Sequence, residues 1–206
     1  MEFLRQLFNT FETKLGMDRW YNSYALANLS AGGVSVLIPL YVLHLGGGVG
    51  DIGLLTAIGN LVGVPASITW GILSDKWGSR KHFAVIGFFG VAISFLLMGF
   101  AESFSLLLLL NATYILFWMS SASVVTVLLI EKEQRGLWES KIGAFNVSAG
   151  LGWSLGLVLG FIWVTLASLV LPDISVFRYL FITLSFSAFI GAIVALKWIG
   201  CVNLYV

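Results

Sequence analysis

The chain has 206 residues, of which 59% are hydrophobic and only 10% charged, with a formal net charge of +1 and a mean hydropathy of +0.97. A soluble domain carries roughly a quarter of its residues as charges, so this composition excludes a water-soluble fold and marks an integral membrane protein. The near-neutral total says nothing about nucleic acid, but no basic stripe with interleaved aromatics appears, and no nucleic-acid partner is expected. Cys201, the single cysteine, cannot form an internal disulfide, and neither it nor the 2 histidines falls in a metal-ligand spacing, so no metal or cofactor is expected.

Residues 1–19 place Phe3, Leu4, Leu7, Phe8, Phe11 and Leu15 at helical intervals, with Arg5, Glu12 and Lys14 elsewhere on the wheel. They read as a cytoplasmic helix lying in the membrane interface, with a disordered tail as the plain alternative and no uninterrupted signal-peptide core. Six apolar spans follow, at about 20–45, 52–73, 83–101, 104–130, 142–166 and 177–199, each able to cross roughly 30 Å of hydrocarbon as a helix. Trp20 and Tyr21 open span one at headgroup level, and Pro39 is expected to kink it. Residues 200–206 form a tail.

The connections carry the charge. Lys and Arg occur before span one, after spans two and four, and at the end of span six, whereas the other side holds only Arg178. Basic residues concentrate on cytoplasmic loops, so both termini and both charged loops are expected to be cytoplasmic, most simply in the plasma membrane. A basic-acidic loop after the second member of each triplet predicts an all-α membrane protein of two inverted three-helix repeats.

Two catalytic-looking strings fail their context. Gly48-Val49-Gly50-Asp51-Ile52-Gly53 fits a dinucleotide-binding pattern but follows no strand, and reads as a tight turn. Gly152-Trp153-Ser154-Leu155-Gly156 fits a nucleophile elbow, yet His44 and His82 fall near span ends, away from a serine within span five. Gly152, Gly156 and Gly160 recur every four residues, a smooth face against which another helix can lie close. No enzyme is expected.

Uncharged polar residues are placed selectively. Asn28, Gly32, Ser35 and Pro39 share a face of span one, and Thr56, Asn60, Gly63, Ser67 and Trp70 a face of span two. Asn111, Tyr114, Trp118 and Ser121 do so on span four, and Asn146, Gly150 and Trp153 on span five, while spans three and six contain no amide. An amide in hydrocarbon needs a partner or a cavity, so spans one, two, four and five are expected to face protein or a cavity, and three and six mainly lipid. Interhelical hydrogen bonding alone accounts equally well for each face.

The hairpin between spans two and three reads Gly71-Ile72-Leu73-Ser74-Asp75-Lys76-Trp77-Gly78-Ser79-Arg80-Lys81. Two glycines, an acid and a basic cluster at this spacing resemble the loop between helices 2 and 3 of the major facilitator superfamily of secondary transporters. Ser79 departs from the basic residue common there. Glu131 and Arg135-Gly136 resemble the acid and Arg-Gly after helix 4.

The resemblance implies the N-terminal six-helix half of a longer transporter, or a half-size chain that pairs with itself or another half. It implies a cytoplasmic gating network of Gly71, Asp75, Gly78, Arg80, Lys81, Glu131 and Arg135. Helices one and four would line the cavity with Asn28, Gly32, Ser35, Asn111, Tyr114, Trp118 and Ser121. Helices two and five would meet the second half through Asn60, Asn146, Gly152, Gly156 and Gly160. The implied function is alternating-access transport of a small solute. No ionisable side chain sits mid-span, and aromatic groups beside amides suit a neutral or amphipathic one. The alternative is a non-transporting scaffold. The partners are the bilayer, the solute and the second half.

Overall fold

The computed structural model describes residues 21–78, 80–132 and 135–198. The proposed interfacial helix of residues 1–19, residue Ser79 and the tail lie outside them, as does the side chain of Glu131. Six long helices account for nearly all of the described chain: α1 (Tyr21–His44), α2 (Val49–Trp77), α3 (Arg80–Met98), α4 (Phe104–Lys132), α5 (Trp138–Ala167) and α6 (Asp173–Trp198). A short 3-10 turn, Arg135–Leu137, precedes α5. All six are long and apolar enough to span a bilayer.

Several helices overrun the hydropathy-defined spans at their charged ends. α2 continues to Trp77, and α5 begins at Trp138, because backbone hydrogen bonding persists into the headgroup region after apolarity ends. Pro39 sits inside a continuous α1, and a second proline, Pro65, lies inside α2.

Adjacency runs α5, α1, α6, α3, α4, α2. Exchanging the triplets, α1 for α4, α2 for α5 and α3 for α6, reverses that order and leaves it otherwise unchanged. The main contacts therefore join the two triplets rather than members of one, and an internal two-fold organises the fold.

Hydrogen bonds repeat the relation. Ser30 of α1 donates to Leu184 O of α6 at 2.8 Å, and Ser120 of α4 donates to Phe83 O of α3 at 2.9 Å. Ser148 ties α5 to Tyr21 O of α1 at 3.4 Å, and the Trp70 indole ties α2 to Leu116 O of α4 at 2.8 Å. Across the symmetric centre, Ser185 of α6 donates to Ala92 O of α3 at 2.7 Å. Lipid offers little hydrophobic drive between helices, so small side chains and such bonds set the packing.

The expectation for α3 and α6 needs correction. Both lie mid-order and bury a large share of their residues, α3 as deeply as α1, through small residues including Gly87, Gly90, Ala188, Gly191 and Ala192. Their exposed residues include an outer stripe of Ile86, Ile93 and Leu97 on α3 and Phe186, Ile190 and Ile193 on α6. α2 and α5 are the least buried helices, one at each end of the order. Amides report where a hydrogen bond is needed; small residues report depth.

Candidate functional site

The hairpin around Asp75 is built by its glycines and charges. Gly78 ends α2 with φ +59°, a left-handed conformation that costs an L-residue roughly 1–2 kcal/mol, and its N–H reaches Asp75 O at 3.4 Å. This reversal starts α3 at Arg80 and brings Arg80 Nη1 to 2.6 Å from Asp75 Oδ1. Arg80 is mostly covered while Asp75 is 63% exposed. A pair this wet contributes about 0–1 kcal/mol, too little to hold a fold and enough to bias two conformations of similar energy.

The rest of the expected network is only partly visible. Arg135 is exposed, with its guanidinium 5.9 Å from the Trp138 ring centre. Lys81 is half-buried. Gly71 plays no close-packing role in this bundle, because a Cβ there would meet nothing within 4 Å.

The cavity candidates separate into several groups. Gly32 faces the Trp153 backbone of α5 so closely that a Cβ would collide with its carbonyl oxygen, which makes it a packing residue. Ser121 is fully buried, donates to Trp118 O at 2.9 Å, and lies under Gly87 of α3, whose Cβ would come within 2.7 Å of its N. Asn111 is buried between α4 and α2, donating to Leu55 O at 3.5 Å. Asn28 is buried and donates to Tyr24 O, one turn back. Ser35 alone of the seven is exposed, its hydroxyl on Gly32 O at 2.7 Å.

Tyr114 and Trp118 belong to an aromatic wall. Tyr114 lies 4.8 Å from Phe95 and 6.1 Å from Trp118, ring centre to ring centre. Trp118 stacks on Tyr24 of α1 at 5.9 Å, and Tyr24 reaches Phe145 of α5 at 4.6 Å. Tyr24 therefore joins α1, α4 and α5, and no sequence reasoning singled it out. Its position one helical turn before Asn28 was the signal.

The glycines expected at a second bundle are also corrected. Gly152 and Gly156 press on the carbonyls of Ala25 and Leu29, and Gly160 on Gly33, all in α1. They form the α1–α5 seam, buried by backbone contact that no larger residue permits. Asn60 and Asn146 are exposed, as are Gly53 on α2 and Gly143 and Gly150 on α5.

Two strings lose their enzymatic readings. The glycines before Asp51 connect helix to helix, and Gly48 N–H donates to Asp51 Oδ2 at 2.8 Å, so this carboxylate caps α2. Ser154 lies inside uninterrupted α5, without the strand and sharp turn of a nucleophile elbow.

A second polar cluster joins helices at the end opposite the Asp75 hairpin. Tyr41 donates to Ala101 O at 2.6 Å, and Arg178 Nε to Gly99 O at 3.3 Å, with the guanidinium 5.2 Å from the Phe100 ring centre. A cation at the carbonyl end of α3 also complements the helix dipole.

Six apolar helices, an internal two-fold and a charged hairpin between the second and third define a multi-pass integral membrane protein. The sequence profile of the Major Facilitator Superfamily matches residues 21–203, and the chain belongs to that family. Comparison with curated proteins gives no match.

Proposed function

We propose that the chain is one six-helix bundle of a secondary transporter, moving a small neutral or amphipathic solute by alternating access. The observation that carries this reading, beyond family membership, is the Asp75–Arg80 pair, a weak ionic contact at the turn between two spanning helices. A contact of that strength suits a latch that is remade in each cycle.

The second bundle, on the same polypeptide or on another chain, packs against exposed α2 and α5, whose Asn60 and Asn146 then find partners. The solute path runs between the bundles, bordered by Ser35 and the Tyr24–Trp118 wall. Stacked rings and buried amides recognise a flat or partly apolar solute; no carboxylate there would balance a fixed positive charge. Lys and Arg concentrated on one side support a reading in which the Asp75 hairpin and both termini face the cytoplasm, and the membrane proposed is the plasma membrane.

The test is uptake into vesicles holding the complete two-bundle assembly, screened with neutral and amphipathic solutes. Saturable uptake that falls on Asp75→Asn supports the reading. Absence of uptake of every solute, with the protein folded and inserted, contradicts it and leaves a scaffold.

A further inference from the structure

Between α5 and α6, on the half of the bundle farther from the Asp75 hairpin, lies a groove of about 670 Å³. Leu29 of α1 contributes to its floor, and Leu159, Ile162, Leu166, Thr183 and Leu184 to its walls. Its volume is within the range of roughly 300–1,000 Å³ typical of ligand sites.

The wall presents carbon. Its three polar side chains direct their hydrogens to backbone carbonyls: Trp163 Nε1 to Val176 O at 3.1 Å, Thr183 to Tyr179 O at 2.8 Å and Ser187 to Leu26 O at 3.3 Å. A sterol hydroxyl or a drug-like polar group would find no free donor there, whereas a hydrocarbon chain needs none.

The internal two-fold supplies a comparison. Exchanging triplets maps this groove onto the one between α2 and α3 over α4, at the opposite membrane face. There Trp70 packs between the helices, 5.9 Å from Phe83 and 6.4 Å from Phe117, while Trp77, 6.0 Å from Phe83, stays largely exposed. Between α5 and α6, Trp163 reaches across to Val176 O, yet a space of about 670 Å³ remains open beside it.

The groove is continuous with the lipid-facing surface. At 100° per residue, Leu159, Ile162 and Leu166 point away from the Asn146–Gly150 stripe, and they adjoin exposed Leu155 and Val158. Exposed Leu169 and Val170 stand at its mouth, where α5 ends. We propose that the groove holds one acyl chain of a phospholipid from the leaflet opposite the Asp75 hairpin, a resident wedge between α5 and α6. The site requires membrane insertion only and is independent of transport.

The experiment is native mass spectrometry of the full chain released from detergent micelles, with wild type and the groove-filling variants Leu159→Trp and Thr183→Phe. Wild type is expected to retain one phospholipid, and each filled variant to retain it about tenfold less. Val147→Trp, exposed toward the other end of α5, retains it as wild type does. No retained lipid in wild type, or equal retention in the filled variants, overturns the proposal.

A second readout does not depend on filling. With Cys201→Ser as background, a fluorophore at Ile162→Cys is expected to be quenched by brominated phospholipid carried through purification, and one at Val147→Cys is not. Equal quenching at both positions also overturns the proposal.

Discussion

At the residue scale, the structure separates glycines that perform different tasks within one composition class. Gly78 needs its left-handed φ of +59°, so Gly78→Ala should destabilise the bundle by about 1 kcal/mol, read as a fall in thermal midpoint in detergent. Gly71, open on its Cβ side, should accept alanine without loss of bundle stability. If transport by the two-bundle assembly nevertheless falls in Gly71→Ala, the second bundle packs there. Asp75→Asn gives the reverse dissociation: a stability change under about 1 kcal/mol, because the pair is wet, together with altered transport.

At the element scale, the two edge helices are mounted differently although the internal two-fold relates them. α5 lies on α1 through backbone contact at Gly152, Gly156 and Gly160, whereas α2 meets α4 through side chains. A Cβ on Gly59 or Gly63 would come only to ordinary distances, 3.5 Å and 3.4 Å, from Ile115. Gly156→Val should therefore disrupt the α1–α5 seam, costing about 1–3 kcal/mol or more, as reduced folded yield and a lower thermal midpoint. Gly63→Ala should be near neutral, since a helix-propensity gain of roughly 1 kcal/mol offsets the crowding.

The far end of α3 carries another element-level prediction. Removing the Tyr41 and Arg178 donors in Tyr41→Phe with Arg178→Ala should raise amide exchange around residues 99–103 while leaving α2 exchange unchanged. Uniform loosening of all six helices would show that these two bonds do not act locally.

At the scale of the whole molecule, hydropathy made the number of spans legible, because about 20 apolar residues between charges have few other uses. The hairpin was legible for a related reason: Gly78, Asp75 and Arg80 are close in sequence, so their geometry is local. Lateral arrangement was not. Asn28, Gly32 and Ser35 share one sequence face, yet tertiary packing buries the first two and exposes only the third. Spacing gives a side chain's angle around its own helix; the neighbour that occupies that angle is fixed by contacts made elsewhere. The α1–α5 seam was misplaced toward a second bundle for the same reason, since a glycine stripe announces close approach without naming the helix that approaches.

Alternating exposure of the α1–α4 path is the claim on which the functional account rests, and Ser35 is the exposed position from which to measure it. With Cys201→Ser as background, Ser35→Cys in the two-bundle assembly should react with a membrane-impermeant maleimide from both sides, in a ratio that changes when solute is added. Equal, solute-independent labelling from the two sides, or none from either, would contradict alternating access and favour a static scaffold.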